Sequence, residues 1–295
     1  MSEFIYRPTE YVHNCNLCGS SAHAVIATRD RFLLPAVSRA CTRCGLIWLS
    51  PRMTAEQYVE FYRSGAYRAF VWSRIPPKYP LSHGQELYAA TVAEFLHKSF
   101  RDNAPTNVID IGGSTGILAG RLRAEFGCVP TVVEPSESES AEARGRGIET
   151  FTESFEDWKP GSRKWEFAVI AQSIEHFLNP RDVLAKTRLL LVPHGRLLID
   201  IIDFRLRAVM VNCVELACKI DHPFEMTDHT MRALLAQAGF NPTHSGHDEQ
   251  HGKLIYLCDM ADPQPDALPK IESVVELFAI LNQVRLNQHE NQFAG

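Results

Sequence analysis

From Thr106 onward, apolar residues alternate between short continuous runs and faces of helical period, the pattern of strands and helices taken in turn. NVIDIGG (107–113) reads as a buried strand, and TGILAGRLRAEFG (115–127) as a helix that stops at Gly127. VPTVVEP (129–135) is the next strand, followed by a helix from about Glu137 to Arg146 and a short extended GIETFTE (147–153). WEFAVIAQ (165–172) is a strand, PRDVLAKTRLLL (180–191) a helix opened by Pro180, and RLLIDII (196–202) a strand after the turn PHG. RAVMVNCVELACKI (207–220) predicts one apolar helix, too short to cross a bilayer and so buried or at a contact between copies of the chain. Thr227 caps DHTMRALLAQAGF, which ends at Gly239, and the last strands fall near 240–246 and at KLIYLCD (253–259). Such alternation predicts a Rossmann-like, doubly wound, mostly parallel sheet with helices on both faces.

Upstream the pattern changes. AVIAT, SRACT and LIWLS (24–50) read as three short strands, TAEQYVEFYR (54–63) as a helix, and residues 63–83 as an aromatic-rich segment with Tyr67, Phe70, Trp72 and Tyr79. That segment suits packing between modules or a lid over a ligand. ELYAATVAEFLHKSF (86–100) is a further helix. After the Pro-rich DPQPDALP, a helix from about 270 to 287 puts Ile271, Val274, Val275, Phe278 and Leu281 on one docking face. The expected organisation is a small ribbon (1–50), a helical and aromatic lid or linker (51–104), the α/β domain (105–260), and a linker with a C-terminal helix (261–295).

Cysteine spacing says what holds the ribbon. Cys15-x-x-Cys18 and Cys41-x-x-Cys44 are matched pairs, each followed by glycine, and the other four cysteines stand alone in apolar surroundings. The first residues carry Glu3, Arg7 and Glu10 where an export signal would be apolar, so a cytoplasmic, reducing setting is expected. There, paired CxxC units favour a metal over disulfides. Four thiolates fit a closed tetrahedral site for structural Zn²⁺, whereas a redox CxxC would not explain two pairs.

Composition narrows the partners. With 30 Lys+Arg against 35 Asp+Glu the net charge is −5, so bulk neutralisation of nucleic-acid phosphate is disfavoured. No apolar stretch is long enough to span a membrane. In an open parallel sheet, ligands bind beyond the carboxyl ends of the strands. The first strand ends Asp110-Ile111-Gly112-Gly113-Ser114-Thr115-Gly116 and runs into a helix, whose N-terminus favours an anionic group. The dinucleotide fingerprint fails, because it would need glycine at Ser114 and Ile117. The second strand ends in Glu134, placed to accept both hydroxyls of a ribose.

VIDIGGSTG, VVEPS, FAVIAQSIEHFLNP, LLLVPHGRLLIDI and HPFEMTDHTMRALLAQAGF together resemble the motifs of class I S-adenosylmethionine-dependent methyltransferases over about residues 105–260. Ser114 replaces the usual middle glycine, and His194 the first glycine of a "PGG" turn. The N-terminal knuckles, CGLIWLSPR and FY…Y resemble bacterial methyltransferases of sugar and glycan pathways, including deoxysugar C-methyltransferases. That group commonly carries Glu-His where this chain has Asp221-His222.

The resemblance implies S-adenosyl-L-methionine held by Asp110, Gly112, Gly113, Ser114, Gly116 and Glu134, with Phe155 stacking on adenine and Gln172 as a further contact. It implies methyl transfer to a small-molecule or glycan acceptor, oxygen favoured slightly over carbon. His222, and after it His176, are the candidate general bases, since histidine titrates close to working pH. Asp200 and Asp203 are expected to orient other groups or to hold a divalent ion. Alternatives are an RNA methyltransferase gripping substrate with its ribbon and a non-catalytic cofactor-binding protein; assembly into a homo-oligomer is left open.

Overall fold

A computed structural model describes residues 4–100, 103–248 and 252–293. The N-terminal ribbon is a meander of β1 (His23–Arg29), β2 (Pro35–Cys41) and β3 (Ile47–Leu49), paired antiparallel. Its knuckles turn tightly: Gly19 and Gly45 hold φ of +70° and +79°, and their N–H groups donate to the carbonyls of Cys15 and Cys41. The four thiols converge, with Cys15 Sγ 3.4 Å from Cys44 Sγ and Cys18 Sγ 3.5 Å from Cys41 Sγ.

Three helices follow, α1 (Ala55–Arg63), α2 (Ala66–Arg74) and α3 (Leu81–His97). α1 begins where it does because Thr54 and Gln57 cap each other, side chain to backbone, in both directions. α3 starts earlier than the apolar pattern alone predicts, straight after Pro80.

The central sheet is built from β4 (Asn107–Ile111), β5 (Val129–Val133), β6 (Glu149–Phe151), β7 (Trp165–Ile170) and β8 (Leu191–Ile202), all parallel. The inner strands β4, β5 and β7 are buried almost throughout, as strands covered on both faces must be. The crossovers are α4 (Ile117–Phe126), α5 (Glu137–Gly145) and α6 (Pro180–Leu190), capped by Ser136 for α5 and by Asn179 for α6. The expected PHG turn lies within β8, where His194 takes φ of +67° and the register against β7 shifts between Leu191 and Arg196. That backbone region is where glycine is usual and histidine is among the better-tolerated substitutes.

Beyond β8 the chain departs from the predicted pattern. The expected single helix over 207–220 is two short ones, α7 (Phe204–Met210) and α8 (Val214–Ala217). Asn212 between them sits at φ +47°, which no α-helix accommodates. The break lets residues 218–222 run back toward the sheet's carboxyl edge. β9 (Phe224–Glu225) then pairs with β3, so the ribbon sheet takes its last strand from the far end of the chain.

α9 (Asp228–Ala238) has its capping box at Thr227 and Thr230 and stops at Gly239, φ +79°. β10 (Phe240–Asp248) and β11 (Lys253–Met260) add an antiparallel hairpin, giving the seven-strand order β10-β11-β8-β7-β4-β5-β6. α10 (Ile271–Phe293) buries Val274, Leu277, Leu281 and Val284, while Ile271 and Val275 are exposed. The docking face is therefore the 274–277–281–284 stripe, rotated from the one expected, and it lies against α7 and α8. Of the solitary cysteines, Cys128, Cys218 and Cys258 are buried as expected, while Cys213 is only half-buried.

The turn from β4 into α4 leaves no room for a side chain. Gly116 holds φ of +73°, and a Cβ there would come 2.9 Å from Ala143 Cβ and 3.0 Å from Ile148 Cδ1. Gly116→Ala is therefore expected to lower stability by roughly 1–3 kcal/mol, read as a fall in the urea midpoint. An unshifted midpoint would show that α5 gives way without cost.

Candidate active site

At the carboxyl ends of β4 and β5, the loop 112–116 is held by strand β5 and by the residue after it. Gly112 N–H donates to the Val133 carbonyl at 2.8 Å. Glu134 accepts Ser114 N–H at 3.0 Å on one oxygen and Ser136 N–H at 2.8 Å on the other. A carboxylate has about four acceptor positions, so two remain for a ligand. Burial and the nearby Glu139 push the Glu134 carboxyl up to about 7.

Asp110, at the end of β4, is 1% exposed, and its Oδ2 has no hydrogen-bond partner. Burial raises it to about 7. A Cβ on Gly113 would lie 2.8 Å from the Asp110 carboxyl, and one on Gly112 would lie 2.8 Å from Ser173 Cβ. Both glycines are thus small because of what they face.

This loop forms one end of a cavity of about 490 Å³, a size usual for small-molecule sites. All the predicted cofactor residues except Gly116 line it; Gly116 lies behind, packed on α5. Phe155 is 1% exposed, its ring flanked by Trp158, Phe177 and the Lys186 ammonium at 4.7 Å. Gln172, at φ +51°, donates its backbone N–H to Asp200. Asp200 also accepts the Tyr88 hydroxyl at 2.6 Å. Asp203 caps α7, pairs with Arg205 and accepts Asp228 N–H. Both aspartates are engaged in orienting neighbours.

Helices α1 to α3 form the roof, through Tyr58, Tyr62, Tyr67, Arg68, Gln85 and Tyr88. Gln85 bonds Ser114 and Thr115, while Arg68 pairs with Glu139 at 2.8 Å and Glu139 accepts the Ser114 hydroxyl. The aromatic segment is thus tied to the glycine loop itself.

At the other end of the cavity, His176 and His222 meet edge to face with ring centroids 4.7 Å apart. His176 Nδ1 lies 2.8 Å from the Asp221 carbonyl and 2.9 Å from the Tyr62 hydroxyl. His222 Nδ1 lies 3.2 Å from Glu225 Oε2, and its Nε2 lies 3.3 Å from Lys219 Nζ. The tautomer satisfying both carries its proton on Nδ1, donates to Glu225 and accepts from Lys219. Burial, with Lys219 next, lowers the His222 pKa well below its ordinary value; burial also lowers that of His176. Both imidazoles are therefore neutral at neutral pH, the form a general base needs.

The atoms of His176, Asp221 and His222 are close enough to suggest a cation site. The Lys219 ammonium on Nε2 of His222 reads instead as part of a hydrogen-bonded network. Arg31, from the turn between β1 and β2, reaches Asp221 at 3.3 Å.

Sequence reasoning missed Lys219, Glu225, Arg68 and Glu139. Lys219 had a signal, a cation closing the apolar run VNCVELAC. Glu225 stands only three residues from His222, a local spacing that could have pointed to it; Arg68 had no signal, since it matters through a partner on another element.

Residues 81–245 match a family model described as methyltransferase domain. No curated protein sequence matches the chain. Among solved structures, it is similar to the 1,6-didemethyltoxoflavin-N1-methyltransferase of Burkholderia thailandensis, bound to 1,6-didemethyltoxoflavin and S-adenosylhomocysteine. That similarity is 18% identity over 74% of this chain and 96% of that one, TM-score 0.53. It is also similar to the magnesium protoporphyrin IX methyltransferase of Synechocystis PCC 6803 with bound S-adenosylhomocysteine, at 15% identity over 68% and 97% of the two chains, TM-score 0.52. A third is the plantazolicin methyltransferase BpumL with S-adenosylhomocysteine and a desmethyl analogue, at 12% over 69% and 95%, TM-score 0.51. At these identities the likeness is one of fold.

Asp110 makes stability depend on pH. Its carboxyl moves from an ordinary 3.8 in the unfolded chain to about 7 in the folded one, so the native state binds the proton more tightly. Its contribution is present below pH about 4 and lost as pH rises through about 7. Asp110→Asn is expected to be more stable than wild type at pH 8 by on the order of a few kcal/mol, with the advantage gone near pH 4. Denaturant unfolding across that range measures it; parallel pH curves for the two proteins would contradict the assignment.

Proposed function

The chain belongs to the methyltransferase-domain family and is an S-adenosylmethionine-dependent methyltransferase, and from that premise we propose that it methylates a hydroxyl of a sugar, nucleotide-sugar or glycan. The observation that carries this reading is the neutral His222, oriented by Glu225 and facing a cavity roofed by tyrosines. A sugar hydroxyl is a poor nucleophile until its proton leaves, and a buried neutral imidazole takes that proton. Aromatic faces and hydroxyls suit a flat polyol that is apolar on its faces and polar at its edges.

The glycine-loop end fits the cofactor on its own terms. It offers an orphaned buried carboxylate oxygen on Asp110, a glycine turn whose backbone lines the cavity, and free acceptor positions on Glu134. Glu134 would take the ribose hydroxyls, the loop 112–116 the amino-acid part, and the wall of Phe155 and Gln172 the adenine end. Bound there, the cofactor supplies an electrophilic methyl group on a sulfonium. The protein holds the acceptor in line, and alignment alone is worth up to roughly 7–11 kcal/mol. His222 removes the acceptor proton at Nε2, Glu225, whose carboxyl burial pushes well above the usual carboxylate range, holds the ring through Nδ1, and His176 with Tyr62 packs the ring in place.

Incubation with labelled cofactor and a panel of sugars, nucleotide-sugars, glycans and RNA tests this. Label is expected on an oxygen of a sugar-containing acceptor. His222→Ala should reduce turnover by at least about 100-fold while leaving S-adenosylhomocysteine affinity unchanged. Label on RNA alone, or undiminished turnover in the variant, would overturn the reading.

The ribbon cysteines fit a structural zinc, since four thiol sulfurs already converge to within 4.8 Å of one another. One zinc per chain is expected by elemental analysis. Cys41→Ser should lose it and melt at a lower temperature. Disulfides in a metal-free, fully stable protein would contradict the assignment.

A further inference from the structure

Lys219 is not accounted for by cofactor binding or by proton removal. The cations lining the cavity, among the described residues, are Arg68 and Lys219. Arg68 is paired with Glu139, at the glycine-loop end. Lys219 stands at the histidine end, and its ammonium donates to Nε2 of His222 across 3.3 Å. That nitrogen is the atom that must accept the acceptor's proton, because Nδ1 is turned to Glu225. The resting base is therefore covered by a single 3.3 Å hydrogen bond from Lys219.

Resting on the reading above, we propose that Lys219 is a catalytic residue that binds the acceptor oxygen itself, so that a neutral hydroxyl seats between the Lys219 ammonium and the His222 imidazole. The entering hydroxyl replaces one 3.3 Å contact with two, donating to Nε2 and accepting from Nζ. In the transfer the acceptor's O–H bond breaks and its oxygen forms the bond to the methyl carbon. The methyl–sulfur bond breaks, with its electron pair left on the thioether sulfur. The proton ends on His222 Nε2. Negative charge grows on the oxygen as the proton leaves, and a preorganised cation at that point stabilises the transition state more than the ground state.

Burial lowers the Lys219 pKa, and Glu225, Asp221 and Glu175, which face it, favour its ammonium against that burial. His222 is faced by Lys219, Asp221 and Glu225 from its own stretch of chain, by His176 from beyond β7 and by Arg31 from the ribbon. Of these, Lys219, His176 and Arg31 hold its basicity down.

The test compares the wild-type full chain with Lys219→Met and Lys219→Arg, reading turnover of the sugar acceptor and, independently, the His222 ring titration by NMR. Lys219→Met is expected to lower kcat about 100-fold with a much smaller change in KM. It should also move the His222 titration, and with it the acid limb of the pH profile, to higher pH. Lys219→Arg should keep the titration near wild type and restore part of kcat; if Lys219→Met is poorly folded, Lys219→Arg carries the comparison. A Lys219→Met kcat within about threefold of wild type, or an unmoved His222 titration, overturns the proposal. A wild type that methylates no sugar hydroxyl sinks the acceptor reading instead, and the titration then decides the Lys219 assignment by itself.

Discussion

The Glu134 carboxylate ties together the two loops on which the cofactor end depends. One oxygen takes the N–H of Ser114 in the glycine turn and the other that of Ser136 at the start of α5. Buried donors left without partners cost about 1–3 kcal/mol each, so this one side chain fixes the glycine turn against the start of α5. On the proposed reading, that arrangement is what receives the ribose. Glutamate has the reach and the four acceptor positions to tie both loops and still bind a ligand. The cost falls on Glu134 itself, whose burial beside Glu139 raises its pKa.

The ribbon does more than cap the N-terminus. Its turn sends Arg31 to Asp221, next to His222, the proposed base, and its sheet takes in β9, which carries Glu225, the partner of His222. Knuckles, strand pairing and base orientation form one continuous set of contacts. A metal held by the four cysteines would thereby bear on the orientation of an imidazole in the sheet domain. Roof helices α2 and α3 act similarly at the other end, through Arg68 on Glu139 and Gln85 on Ser114.

Most of the sheet could be read directly because its buried strands are short apolar runs bounded by turn residues, and because Gly127, Thr227 and Gly239 mark helix ends by chemistry local to them. The glycine turn and Glu134 were legible for the same reason, since each follows a strand by a residue or two. Where the reading failed, the deciding contact was remote. Hydrophobicity over 207–220 says helix, yet Asn212 turns the chain because residues 218–222 must reach the cavity. The α10 stripe was misplaced because Leu277, not Ile271, meets the knuckle at Gly45. The latch of Arg68 on Glu139 is a tertiary fact with no local signature, whereas Glu225 lies three residues from His222 and was within reach of the sequence.

The central claim is that the cavity between the glycine turn and Glu134 receives the adenosyl cofactor. Calorimetric titration of S-adenosylhomocysteine into the wild type and into Glu134→Ala tests it most directly. The account predicts saturable one-to-one binding by the wild type and an affinity at least about tenfold lower in the variant, a loss of roughly 1.4 kcal/mol or more. Equal affinity in the two proteins, with both folded, would place the cofactor elsewhere and contradict the account.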